Sequence, residues 1–392
     1  MAPVRNALIL DGASGAALAV MRSLGSAGWR IRVDAGTRSA RSRFAAGVVA
    51  IPDCLSAPDA FADAVAASLA AEPTSVVVPC SDASVQVLWE NEHRLAGAAI
   101  MGGDRASALL AIDKCRTLAA ADRLGFPTPA WHAPADEAEA RSALDEIGFP
   151  CVVKARHSFT RSGGSLLQRR HSFVRNAAEL PEALSIGMDE DGALPVLQAF
   201  VPGRSISVSA VLVHGHVVAS VARETLSFHP IAGGTSVWKR TIAPDDVGVA
   251  EALALLRGLG YEGLAEVAYQ IDAEGTPRLM EIGPRAHGWL ALASAAGVDL
   301  PLIAAKILIG ETVAGPAPYR VGMEMRWPMG EVARIRDALG GRGDLPPGTS
   351  RGQVLALSWP PWRPGMRYDN LDLSDSGTWL PRALRRTDRR AA

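Results

Sequence analysis

Lysine is nearly absent from this 392-residue chain: of its 40 basic residues only Lys114, Lys154, Lys239 and Lys306 are lysine. An arginine bias of this kind marks the retained lysines, because a compact ammonium does what a planar guanidinium cannot. Cysteine is also scarce. Cys54, Cys80, Cys115 and Cys151 lie far apart, with no CxxC pair and no histidine at ligand spacing. That excludes a zinc cluster and a disulfide framework and leads us to expect a reducing, cytoplasmic setting. Charge of one sign is lacking as well: 40 basic against 41 acidic residues leave −1, so no global field draws the chain onto nucleic acid or acidic lipid. The local exception, Arg382, Arg385, Arg386, Arg389 and Arg390, reads as a solvated helix end or tail. Long apolar runs are missing too. Ala7–Leu10 is too short for a signal peptide, and Trp289–Gly310 is broken by Asp299, Pro301 and Lys306, which predicts two buried helices and no membrane span.

What is present is apolar material for a large core, 48% hydrophobic with 21% charged, in a length typical of two or three domains. The apolar runs Ala7–Leu10, Trp29–Val33, Ser75–Pro79 and Ala98–Met101 alternate with Ala-rich helical stretches near 14–26, 59–71, 83–95 and 105–111. This predicts a parallel sheet with helices on both faces. Its first turn, Asp11–Gly15, with Asp34 about 20 residues on, is an incomplete dinucleotide fingerprint and reads first as a plain tight turn. A helix from Lys114 to Leu124 and a linker at Phe126–Pro129 lead to a helix near 135–147 and to a buried strand ending in Lys154. Beyond Ser162–Ser165 come a strand, Leu166–Arg170, and a helix near 178–186. Antiparallel runs follow at Val196–Phe200, Ser205–His214 and His216–Glu224. After a helix near 245–258, the hairpin Gly263–Ile271 and Arg278–Ile282 closes the pattern. Residues 319–392 read as a small closing region.

Two constellations carry chemistry. Lys114 opens a helix after Asp113, and Lys154 ends a strand beside the Gly-rich turn Ser162, Gly163, Gly164. Point charges next to glycines that free backbone N–H groups suit nucleotide phosphate. Glu266 and Glu281 sit on the two strands of one hairpin, where a Mg²⁺ ion would relieve their repulsion, and Arg285 adds a forked donor. His214 and His216 occupy a turn and read as solvated. Trp238-Lys239-Arg240 is expected in a charged loop, and Arg161 and Arg223 are further candidates for a substrate carboxylate.

Asp113-Lys114, Val152-Val153-Lys154, Gln198-Ala199-Phe200-Val201-Pro202-Gly203, Gly233-Gly234-Thr235 and Glu281-x-x-Pro284-Arg285 follow one another in the order seen in ATP-grasp enzymes. The chain resembles that superfamily, in particular its predicted ATP-dependent carboxylate–amine ligases or carboligases, which also share Ser81-Asp82. The resemblance implies a pre-ATP-grasp α/β domain over residues 1–110, an ATP-grasp domain of two α+β subdomains over 111–318, and the closing region from 319. It implies ATP and Mg²⁺ as cofactors, with Lys114, Lys154, Ser162, Gly163 and Gly164 on the phosphates. Gln198, Phe200 and Val201 would lie at the adenine, Glu266 and Glu281 on the metal, and Arg285 and Lys154 in catalysis. The implied activity is an ADP-forming ligase joining a small carboxylate to an amine or other nucleophile through an acyl phosphate. No nucleic-acid or membrane partner is expected, and oligomeric state is left open. Departures from the family pattern are Gly283 in place of a metal-binding Asn, Ala268 where many relatives have the first metal acid, and Ala199 at the hinge. They motivate a second reading, an ATP-binding homologue with weakened or lost catalysis. A nicotinamide-dependent oxidoreductase on Gly12–Gly15 and Asp34 is the third, and phosphoryl transfer to a hydroxyl is a further possibility on the same fold.

Overall fold

Short runs that are apolar on both faces of the strand must be covered twice, and the N-terminal runs form such a sheet. The computed structural model describes residues 5–169, 171–358, 360 and 365–379, so the C-terminal arginines lie outside the described residues. Strands β1 (Asn6–Ile9), β2 (Arg30–Asp34), β3 (Ala45–Val49), β4 (Val76–Val78) and β5 (Ala99–Ile100) are parallel in the order β3-β2-β1-β4-β5. Ile9 and Val78 pack toward helix α1 (Gly15–Ser26), while Leu8 and Val77 pack toward α2 (Pro58–Ala71) and α3 (Asp82–Glu90). β3 escapes a reading by apolar pattern because Ala45-Ala46-Gly47 is a half-exposed edge with little to bury.

The chain leaves β1 toward one face and β4 toward the other, which makes their C-terminal ends a topological switch point, where open α/β sheets bind ligands. Here the Asp11 carboxylate accepts hydrogen bonds from the Cys80 N–H (2.9 Å), Ser81 Oγ (3.2 Å) and Ser84 Oγ (2.7 Å). Ser81 caps α3 and so fixes the direction in which Asp82 leaves the helix. Asp34 spends Oδ1 on the Gly12 N–H at 2.8 Å, so the acid that an oxidoreductase would use on ribose instead closes the turn.

Helices α4 (Arg105–Ala111) and α5 (Lys114–Arg123) lead into a four-stranded sheet, and α6 (Glu137–Ile147) and α7 (Leu180–Gly187) pack on it. Its strands are β6 (Trp131–His132), β7 (Cys151–Lys154), β10 (Ser172–Val174) and β11 (Val196–Ala199), in the order β10-β7-β11-β6. The separate hairpin β8 (Phe159–Ser162) and β9 (Ser165–Gln168) turns at Gly163 and Gly164, with φ of 54° and 84°.

The third sheet has seven strands in the order β16-β15-β12-β13-β14-β17-β18. They are β12 (Arg204–Val213), β13 (His216–His229), β14 (Thr235–Thr241), β15 (Gly263–Ile271), β16 (Pro277–Gly283), β17 (Glu324–Arg326) and β18 (Arg367–Tyr368). Alternation divides its faces. Ile206, Val208, Ala222, Val267 and Leu279 form a core under α8 (Val249–Gly258). The opposite face carries Glu281, Glu266, Ser207, Ser209, Arg223, Thr225, Lys239 and Thr241 at mutually paired positions.

One sequence expectation changes here. Trp238-Lys239-Arg240 is not a charged loop but the centre of β14, and Lys239 is only 2% exposed, ion-paired with Asp369. A lone Lys-Arg pair looks solvated in sequence because its partner acid is remote. Beyond residue 319, β17 and β18 extend the seven-stranded sheet, and the chain adds α11 (Pro328–Leu339) and α12 (Arg351–Ser358). Trp289–Gly310 does split into two helices, α9 (Leu290–Ala296) and α10 (Leu300–Leu308), bent by 100°. No single helix among the described residues is long and apolar enough to cross a membrane. His214 and Gly215 form the exposed β12–β13 turn, with φ of 49° and 75°.

Candidate active site

Residues of the hairpin β15–β16, of α3 and α5 and of the loop after β7 line one cleft that opens to solvent: Lys114, Ser158, Glu266, Glu281, Gly283, Arg285 and Asp82 among them. Lys114 is placed by α5. Asp113 caps that helix through the Arg116 N–H and is held by Arg156 Nη2 at 2.7 Å, while the Lys114 N–H donates to the Arg156 carbonyl. Burial opposes ionisation of Asp113, yet the Arg156 guanidinium holds its carboxyl below the usual range. Lys114 Nζ then reaches Ser158 Oγ at 3.1 Å. Lys154 ends β7 and is half-buried. Burial pulls its ammonium down to about 8; Glu281 opposes this and Lys114 adds to it, so all three share one field.

Glu281 lies opposite Ala268 across the β15–β16 ladder, and Glu266 lies opposite Gly283. The exposed Glu281 carboxylate forms no ion pair or hydrogen bond with a described residue. A free carboxylate beside the two lysines fits a hard divalent cation shared with phosphate oxygens. No group of three or more His, Cys, Asp or Glu among the described residues would hold a metal alone, which fits that sharing. Glu266 is engaged differently. Its Oε1 accepts from Trp289 Nε1 at 2.6 Å and from Arg223 Nη2 at 3.2 Å. Burial alone would raise this carboxyl, but His287, Arg223 and the Trp289 N–H hold it down at about 2.

Arg285 is aimed by the N-terminal domain. Asp82 accepts from Arg285 Nε at 2.5 Å. The backbone beneath is pressed close: a Cβ at Gly102 (φ 150°) would strike the Pro284 carbonyl, and one at Gly263 (φ 97°) the Gly102 carbonyl. Burial would lower the Arg285 pKa, yet Asp82, Glu266 and Glu281 raise it, so the guanidinium stays charged. Asp82→Asn keeps the side chain's size and removes its charge. It is expected to lower turnover by about 10- to 100-fold, the scale of one charged hydrogen bond, with an unchanged melting temperature. Steady-state ADP release and a thermal melt check this.

Lys154 and the remaining sequence candidates lie outside the residues that line this cleft. Gly163 donates its N–H to Glu190 Oε1 at 2.9 Å, and Ser165 Oγ donates to the Ser162 carbonyl. The hairpin is laid on the N-terminal domain through Leu166 N–H to the Leu55 carbonyl and through Arg161 to Glu90. Gln198 is 2% exposed with Nε2 unpartnered, Phe200 stands edge-on to Phe173 at 5.6 Å, and Val201 follows it half-buried. The sequence pattern assigns no role to Ser81-Asp82 and leaves Arg223 a minor candidate. Trp289 carries no sequence signal of its own, whereas the alternation of polar residues along β12, β13 and β15 is the signal for the polar face.

Comparison with known proteins agrees with this geometry. Residues 194–330 match the family model described as ATP-grasp in the biosynthetic pathway with Ter operon. The D-alanine–D-alanine ligase of Stutzerimonas stutzeri is 30% identical over 250 residues, covering 60% of this chain and 74% of that one. A carbamoyl phosphate synthase large chain of Gemmatimonas aurantiaca is 26% identical over 283 residues, covering 67% of this chain but only 24% of the synthase. In fold, the chain is similar to the biotin carboxylase domain of Hydrogenobacter thermophilus 2-oxoglutarate carboxylase, solved with MgADP and bicarbonate (TM-score 0.65, 18% identity, 83% of this chain and 74% of that one). It is likewise similar to an N5-carboxyaminoimidazole ribonucleotide synthetase solved with ADP (TM-score 0.64, 17% identity, 87% of each chain). With Lys114, the hairpin acid Glu281 and Arg285 gathered at one cleft, the chain belongs to the ATP-grasp superfamily.

Proposed function

We propose that the protein is an ATP-dependent, ADP-forming ligase that activates a small carboxylate as an acyl phosphate for attack by an amine or another nucleophile. The observation that carries this is the convergence of Lys114, Arg285 and a Glu281 unpaired among the described residues on one cleft, with Lys154 in the field of Glu281 and Lys114. Transfer of a phosphoryl group needs little covalent help from the protein; it needs positioning and neutralisation of charge. Lys114 and Lys154 meet phosphate oxygens, Gln198–Val201 hold the adenine, and Arg285 meets the oxygens of the carboxylate and the transferred phosphoryl group. Glu281 would hold Mg²⁺, which would supply charge neutralisation on the nucleotide. The substrate carboxylate oxygen attacks the γ-phosphorus and the bond to ADP breaks. The nucleophile then adds to the acyl carbon, loses its proton, and phosphate leaves with the C–O bonding pair.

Incubation with ATP, Mg²⁺, hydroxylamine and a panel of carboxylates is expected to yield hydroxamate with equal ADP and phosphate. Carboxylate-dependent pyrophosphate would instead mean adenylation and would sink the mechanism. Ala268 and Gly283, together with the engagement of Glu266 by Arg223, favour the second reading of an ATP-binding homologue with weakened catalysis. Nucleotide binding without metal-dependent ADP release across the panel would select it.

A further inference from the structure

Of the two acids on the β15–β16 hairpin, Glu266 alone is already neutralised. Arg223 Nη2 lies 3.2 Å from its Oε1, and that guanidinium stacks 5.0 Å from the Trp289 ring, whose N–H donates to the same oxygen. Arg223 is 6% exposed, and its Nη1 is directed to Thr225 Oγ1 on the same strand face. The pair is therefore fixed in direction from both sides and shielded from water. On its other side Glu266 lies in the field of Arg285, so a divalent cation approaching it would meet two guanidinium charges. Glu281 differs on each count: it is exposed, opens onto the cleft, and has no ion-pair partner among the described residues. The strand positions across from these acids, Ala268 and Gly283, offer no side-chain oxygen ligand.

We propose that Arg223 is a built-in cation of the site, that Glu266 anchors this arginine and does not ligate metal, and that Glu281 is the sole carboxylate holding a single divalent ion. This rests on the nucleotide-binding reading above. Unlike a metal ion, a guanidinium tethered to the chain cannot dissociate, so it cancels the Glu266 charge permanently on the sheet face of the cleft. Arg223 is a positioning residue in this scheme. Its charge acts through the network it forms with Glu266 and Trp289.

The test counts ions without requiring turnover. Mn²⁺ bound to the full chain in the presence of a non-hydrolysable ATP analogue is measured by electron paramagnetic resonance, with nucleotide affinity measured separately by calorimetry. One Mn²⁺ per chain is expected for the wild type. Glu281→Gln should weaken it about 10- to 100-fold, the range seen when metal-site groups are removed, and Glu266→Gln should change it by less than about threefold. Arg223→Met, which frees the Glu266 carboxylate, should raise the count to two. Two ions in the wild type, or equal losses in the two Glu→Gln variants, would overturn the proposal. If Arg223→Met does not fold, the Glu266→Gln and Glu281→Gln pair decides by itself. Failure of the wild type to bind the nucleotide analogue would overturn the ligase reading and, with it, the site on which this proposal rests.

Discussion

Lys154→Ala is expected to lower nucleotide-dependent turnover by about 10²–10³-fold, the effect of removing one preorganised charge donor from a transition state. Lys154→Arg should recover little of it. The side chain leaves the end of β7 from a half-buried position, so its reach is set by the strand. A guanidinium is longer and planar, and would carry its charge past the point that the ammonium occupies. Burial also lowers the Lys154 pKa to about 8, against the pull of Glu281. The sign follows: the ammonium is charged below that pH and neutral above it. The kcat/KM for ATP should therefore fall as pH rises through about 8 in the wild type. Lys154→Arg, whose guanidinium does not titrate there, should lack that alkaline limb although its activity is low. Steady-state kinetics across pH read both effects. Wild-type turnover in Lys154→Ala would show that the lysine serves only packing.

Glu281→Gln should raise the Mg²⁺ requirement and depress turnover by about 10- to 100-fold. The reason is the poverty of the site. Ala268 and Gly283 occupy the cross-strand positions next to the two acids, and Mg²⁺ fills missing positions with water, so the loss of one carboxylate leaves little to hold the ion between phosphates. Glu266→Gln should be milder, because what it loosens is the grip on Arg223. Gly283→Asn is a gain-of-function counterpart. Gly283 has no positive φ, and a Cβ there would meet Glu266 Cβ at 3.8 Å, an ordinary contact. Magnesium titrations of ADP release should show a lower requirement in Gly283→Asn and a higher one in Glu281→Gln. If Glu281→Gln follows the wild-type curve, the assignment of the metal to β16 is wrong.

By itself the amino-acid sequence determined the local elements and their order. Apolar runs bounded by glycine and proline marked β1, β7, β12, β15 and β16. An Asp before Lys114 marked the start of α5, and scarcity of lysine drew attention to Lys114 and Lys154. These signals lie within a few residues of the feature they specify, so pattern and propensity suffice to read them. The tertiary structure alone decided which charges meet. Asp82 and Arg285 are 203 residues apart, Arg223 and Glu266 43, and Lys239 and Asp369 130. Each pair joins different elements, and a side chain's partner across a fold leaves no periodicity in sequence. The same holds for β3 and for β17 and β18, which are strands because a neighbouring edge offers hydrogen bonds, not because their own residues demand it. A buried ion needs its counter-ion wherever the chain can supply one, and only folding brings the two together.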